Sequence, residues 1–294
     1  MYPLVSVITP SFNQAQYLEE TILSVLNQDY DNIEYIIIDG ESTDNSIDII
    51  KKHENRISFW ISERDCGQAD AINKGFLKSK GEYICWLNSD DVLYPGFIKT
   101  RVFQFQQNPE TDMIYGDVDQ GADIKNTWRR KGAQTSYLLM RKSLEIPIPQ
   151  QSAVWRRNVL DKTGLLDPQW HVLLDRDYFI RISRNHRIKY IPGALAFFRI
   201  HQQSKSINEA TKWAEELPVY YKSLTEKWID YKKNRSQVMA HCYWHCSKIY
   251  FENGDTGSAV QFHEKSKNES YFTFFRLQFF TYLVKVNQKI KSLI

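Results

Sequence analysis

Short runs of apolar and β-branched residues alternate with stretches of helical spacing through the first ninety residues, and this alternation most constrains the fold. Leu4–Thr9 is one such run and stops at Pro10-Ser11; Ile33–Ile38 is a second and stops at Asp39-Gly40. Between them, Leu18, Ile22, Val25 and Leu26 share a helical face. Ser42-Thr43-Asp44 offers capping side chains to a helix carrying Ile47, Ile49 and Ile50. Ser58–Ser62 and Tyr83–Leu87 read as further strands, separated by a helix over Ala69–Lys80 that Gly81 closes. Strands this apolar suit a buried parallel sheet with helices on both faces. Such sheets gather ligands at the carboxyl ends of their strands.

Beyond Tyr94 the spacing predicts a helix over Gly96–Gln107, a strand over Met113–Val118 and a polar loop over Gly121–Gly132. A strand at Ser152–Trp155, helices at Val159–Thr163 and Asp177–Asn185, and strands at Ile188–Ile191 and Ala194–Ile200 follow. From Asn208 to the end the spacing is helical. The expected division is therefore an α/β domain, 1–206, and a helical C-terminal region, 207–294.

The net charge of +3 gives no reason to expect nucleic acid as a partner, and its distribution is uneven. Residues 1–200 carry a net −2 and residues 201–294 a net +5. No apolar run is long enough to span a bilayer, and the first residues lack a basic, signal-like segment. The four cysteines are widely spread, as in a reduced protein, so the expected location is cytoplasmic. His241, Cys242, His245 and Cys246 lie close together, but no second ligand pair has zinc spacing, so helix packing is the expected account.

Polar residues cluster where the strands end: Thr9, Pro10, Ser11 and Asn13; Asp39 to Asp44; and Asn88, Ser89, Asp90 and Asp91. Adjacent carboxylates repel each other and make best sense beside a hard cation. Neither a Gly-x-Gly-x-x-Gly nor a Walker-type loop follows any predicted strand, so phosphate would be met by a carboxylate-bound divalent ion.

Four blocks, in order, carry a family resemblance. Val5-Ser6-Val7-Ile8-Thr9-Pro10-Ser11-Phe12-Asn13 resembles the opening strand of family 2 glycosyltransferases, the large inverting group with the GT-A fold. Ile36-Ile37-Ile38-Asp39-Gly40-Glu41-Ser42-Thr43-Asp44 resembles their second-strand signature. Asp65-Cys66-Gly67-Gln68-Ala69-Asp70 and Trp86-Leu87-Asn88-Ser89-Asp90-Asp91 are similar to the sub-group with a Trp/Phe-Leu-Asn-Ser-Asp-Asp metal motif.

The resemblance implies a GT-A sheet flanked by helices, with roles for individual residues. Thr9, Pro10, Ser11 and Asp39 would hold the nucleoside. Gln68, Asn73, Lys74, Asn88 and Ser89 would line the nucleotide-sugar cleft. Asp90 would bind Mg²⁺ or Mn²⁺, with Asp91 and His201 beside it. Asn88 stands where the family's first motif Asp usually sits, and Leu174 where a Glu often precedes the base. Asp175 is the base that the resemblance implies; a helix cap is its structural alternative. Gln150, Gln151 and Trp155 would border the acceptor, and Arg199 and Lys205 would bring positive charge to the diphosphate.

The expected activity is metal-dependent inverting transfer from a nucleotide-sugar, with UDP as the leading donor. The acceptor would be a saccharide or lipid-linked hydroxyl in surface polysaccharide or glycolipid assembly. Two alternatives are a nucleotidyltransferase and a non-catalytic carbohydrate- or nucleotide-binding protein of the same fold. Aromatic and basic residues over 271–294 suit either an interfacial helix beside anionic lipids at the inner membrane face, or packing onto the protein or a second subunit of a homo-oligomer.

Overall fold

The computed structural model describes residues 2–278. It contains two compact units. Among the described residues, one runs to Tyr137 and resumes over Ile146–Gln202; the other comprises Leu138–Glu145 and 203–278.

The first unit is built on a mixed sheet. Its strands are β1 (Val5–Ser11), β2 (Ile33–Asp39), β3 (Phe59–Ser62), β4 (Tyr83–Trp86), β5 (Val92–Leu93), β6 (Met113–Asp123), β7 (Asn126–Arg130), β8 (Val154–Arg156) and β9 (Ile188–Arg199). They lie in the order β3-β2-β1-β4-β8-β6-β9-β5, with β7 paired to β6. The first four are parallel, as expected; β8 then runs antiparallel to both β4 and β6. The strands after the first ninety residues make the sheet a mixed one.

Helices cover both faces. α1 (Ala15–Leu26), α2 (Ser46–Lys52) and α4 (Phe97–Gln107) send Leu18, Ile22, Val25, Ile50 and Phe105 into one core with Val5, Val7, Tyr35, Ile37 and Cys85. The alternate strand residues point the other way, as the period of two requires. There α3 (Gln68–Lys78) approaches so closely that a Cβ on Gly75 would stand 2.3 Å from Ile8 Cγ2. Phe76, Trp86, Trp155 and Tyr178 form an aromatic cluster on this side. α5 (Tyr137–Ser143), α6 (Arg157–Thr163) and α7 (Leu174–Asn185) complete the chain order up to β9.

Three local expectations change. The polar stretch expected as a loop over Gly121–Gly132 is a hairpin, because β7 pairs with β6 although all its residues are exposed. The two strands expected over Ile188–Ile200 are one strand, bent where its register with β6 shifts. α7 begins at Leu174, so Asp175 lies inside its first turn and Leu173 is the cap.

The second unit is helical: α8 (Lys205–Asn208), α9 (Ala210–Lys227), α10 (Ile229–Lys232), α11 (Arg235–Glu252) and α12 (Thr256–Glu269). Cys242 and Cys246 are buried in it, and Ser266 Oγ donates to the Ala240 carbonyl at 2.6 Å. Residues 271–278 are helical; the rest of the 271–294 segment, 279–294, lies outside the described residues. Among the described residues no helix is long and apolar enough to cross a membrane.

Candidate active site

The ends of β1 and β2 form a buried polar floor. Asp39 is fully buried at the end of β2. Its carboxylate accepts from Ser42 N (2.9 Å), Ser42 Oγ (2.6 Å) and Ser62 Oγ (2.7 Å). Ser42 Oγ in turn accepts from the Asn13 amide at 2.8 Å, tying the β1 loop to the β2 loop. Tyr35 donates to Thr9 Oγ1 at 3.2 Å, while the buried Ser11 hydroxyl has no protein partner among the described residues. Gly40 lets the Asp65 carboxylate lie close: a Cβ there would stand 2.5 Å from it.

The loop after β4 is held from three directions. Thr21 Oγ1 on α1 contacts the Ser89 and Asp91 carbonyls at 2.9 and 2.8 Å. Arg199, at the end of β9, donates from Nε to the Asp90 carbonyl at 2.9 Å and pairs with Glu20 through Nη2. Its backbone amide donates to Asp91 Oδ1 at 3.0 Å. Asp91 Oδ2 also accepts from Gln151 at 3.0 Å and Asn88 at 3.1 Å. Burial, and then the neighbouring Asp90 charge, push the Asp91 carboxyl well above the usual carboxylate range.

Asp90 is placed differently. Its side chain is partly exposed, and Oδ2 lies 3.0 Å from His201 Nε2. Tyr17 packs against the His201 ring at a centroid distance of 4.7 Å. A carboxylate and an imidazole suit a divalent cation that takes its remaining ligands from water and a diphosphate. Among the described residues no three His, Cys, Asp or Glu side chains converge as a metal site. The pair therefore fits a cation shared with substrate, not a closed cage.

Asp175, half-buried in the first turn of α7, accepts from the Arg176 amide at 2.7 Å. Desolvation raises its carboxyl above the ordinary value, while Arg176 and Arg130 oppose the shift. Asp177, two residues on, pairs with Arg181 at 2.8 Å and is buried. Of the two carboxylates, Asp177 is committed to the helix.

Several expected ligands have other occupations. Trp155 is fully buried in the aromatic cluster, so its placement at an acceptor surface is corrected; the stack of Phe76, Trp86 and Tyr178 encloses it. Gln151 is also buried and serves Asp91, while Gln150 donates to the Trp86 carbonyl at 2.8 Å. Asn73 clamps Leu166 through both its amide and its carbonyl at 2.9 Å, and Lys74 pairs with Glu63 at 2.9 Å. That contact with Glu63 raises the Lys74 amine's pKa. Ser89 is buried and Pro10 lies within β1. Gln68 reaches Asn88 Oδ1 at 2.9 Å, joining α3 to the Asp90 loop. Lys205 starts α8 in the second unit. Tyr17, Glu20 and Thr21 were missed; the one available signal was polar Thr21 on the apolar face made by Leu18, Ile22 and Val25.

The sheet order, with polar loops at its carboxyl edge, defines a GT-A glycosyltransferase fold, and solved structures share it. The mannosyltransferase PcManGT from Pyrobaculum calidifontis, in complex with GDP-Man and Mn²⁺, is similar with a TM-score of 0.62. The likeness covers 100% of this chain and 83% of that one at 14% identity. S. aureus TarS 1–349 in complex with UDP is similar with a TM-score of 0.60 at 14% identity, covering 90% of this chain and 91% of that one. An uncharacterized glycosyltransferase of Nostoc sp. is 30% identical over 224 residues, 72% of this chain and 69% of that protein. The family model of glycosyl transferase family 2 matches residues 6–164. The chain belongs to that family and is a transferase.

Proposed function

We propose that the protein moves a sugar from a nucleotide diphosphate donor to a hydroxyl acceptor with inversion, assisted by Mg²⁺ or Mn²⁺. The observation that carries this reading is the Asp90–His201 pair, exposed enough to meet a ligand and braced by Arg199 and Thr21. Asp90 and His201 would hold the cation, which when bound neutralises charge on the departing diphosphate. Asp39, fixed by Ser42 and Ser62, and Thr9, Pro10 and Ser11 beside it are the proposed nucleoside contacts. Asn88, fixed by Gln68, offers an amide to a sugar or ribose hydroxyl.

Inversion requires that the acceptor hydroxyl lose its proton as its oxygen attacks the anomeric carbon. Asp175 is proposed as the base. Burial raises its proton affinity, which suits it to accept that proton. Arg199 is proposed to act by positioning the Asp90 loop, and Lys205 remains a proposed phosphate contact. Catalysis is assigned to residues 1–206. The proposed donor is UDP-linked and the acceptor a saccharide or lipid-linked hydroxyl in surface polysaccharide or glycolipid assembly, at the cytoplasmic face of the membrane. Release of nucleoside diphosphate from UDP-, GDP- and dTDP-sugars, with and without EDTA, tests the reading. Metal-restored release from one donor class supports it; EDTA-insensitive release excludes the cation.

A further inference from the structure

The second unit contains a cavity of about 180 Å³ whose wall is basic. Arg141 and Lys142 reach it from α5, Asn234, Gln237 and His241 from the start of α11, and Arg276 from the helical residues 271–278. No Asp or Glu lines it among the described residues. Arg141 is only 12% exposed. Its Nη1 donates to the Asp230 carbonyl at 3.2 Å, and its buried Nε faces Asp230 Oδ2 as a loose ion pair at 4.0 Å but has no hydrogen-bond partner among the described residues.

Three cations facing one small space repel each other, and the Arg141 Nε donor, paired with Asp230 only at 4.0 Å, keeps a hydrogen bond to offer. Sites for drug-sized ligands are about 300–1,000 Å³, so a nucleotide-sugar does not fit. The smaller space suits a compact anion such as one or two phosphate groups. Guanidinium forks match phosphate oxygens in geometry, and the Asn234 and Gln237 amides add neutral donors.

We infer that this cavity binds a phosphate or diphosphate group through Arg141, Lys142 and Arg276. The group is either a free anion or the headgroup of an anionic lipid; the chemistry is shared.

The test uses the full chain in EDTA, titrated calorimetrically with inorganic pyrophosphate, beside the variant Lys142→Gln/Arg276→Gln. Both substituted side chains are exposed, so the fold is not at risk. Saturable binding that the double variant weakens by about tenfold or more, the loss of charge-assisted contacts, is the expected result. Asp90→Ala should leave this binding unchanged. Arg141→Gln, checked for an unaltered urea midpoint, should weaken it as well. Co-sedimentation with phosphatidic acid vesicles but not phosphatidylcholine vesicles, lost in the double variant, identifies a lipid headgroup. Pyrophosphate binding without vesicle retention identifies a free anion. Absence of both, or a double variant that binds like the parent, overturns the inference.

Discussion

Arg199→Gln separates two roles that one arginine could play. If Arg199 served the diphosphate, its loss would raise KM for the donor and leave stability intact. The structure commits the guanidinium elsewhere: to the Asp90 carbonyl at 2.9 Å, to Glu20, and to the face of Tyr17 at 4.8 Å. A charged hydrogen bond to a carbonyl contributes about 1.5–3 kcal/mol. The cation–π contact adds about 0.5–1 kcal/mol. The ion pair is discounted to about 1 kcal/mol or less, because Glu20 is 48% exposed although Arg199 is only 7% exposed. These terms overlap, and glutamine recovers part of the packing, so the expected loss is about 2–4 kcal/mol. Equilibrium urea unfolding reads it, and donor KM is measured alongside. Lysine keeps the charge but cannot span the carbonyl and Glu20 at once, so Arg199→Lys should recover less than half of the stability. The clamp is refuted if Arg199→Lys restores donor KM and neither variant shifts the unfolding midpoint.

Asp175→Asn should cut transfer by about 10²–10⁴ while leaving donor binding in place. Because burial raises the Asp175 carboxyl, its charged form opposes folding, and stability contributed by the protonated form is lost as pH rises through the folded value. Asp175→Asn should therefore be no less stable than the parent at pH 7; a stability loss accompanying the rate loss would make Asp175 a structural residue. The acid limb of the parent's pH–rate profile should lie above the ordinary aspartate value of about 3.9, and product formation against pH measures it. Asn73→Ala strips both contacts to Leu166 and should cost about 1–3 kcal/mol in urea unfolding with donor KM unchanged; a raised KM at parental stability would return Asn73 to the nucleotide.

The half of the fold that was legible rests on periodicity. β1, β2 and β4 are short apolar runs whose burial on both faces leaves a continuous hydrophobic signal, while β3 is only half-buried. β7 carries no such signal, since Asn126, Trp128 and Arg130 are all exposed and the strand exists through its ladder with β6. β8 was legible as a strand at Ser152–Trp155, but its antiparallel direction was not, because periodicity carries no direction. In the site, the strand-end clusters around Asp39 and Asp90 were visible as polar residues interrupting apolar runs. Their partners were not: Thr21 lies 68 positions from Ser89, and Glu20 lies 179 from Arg199. Contacts at such separations arise from topology, which composition and spacing do not encode. Trp155 shows the opposite error. The resemblance set it beside the acceptor, whereas the indole turns into the aromatic core.

The central claim is that Asp90, aligned with His201, brings a divalent cation to the donor diphosphate. It is tested most directly by donor affinity as a function of Mn²⁺, measured calorimetrically on the parent and on Asp90→Ala with the three nucleoside diphosphates. The account predicts that Mn²⁺ tightens binding of one nucleoside diphosphate in the parent by about tenfold or more, and that Asp90→Ala abolishes this gain while retaining the metal-free affinity. Equal Mn²⁺ dependence in the parent and Asp90→Ala would contradict it.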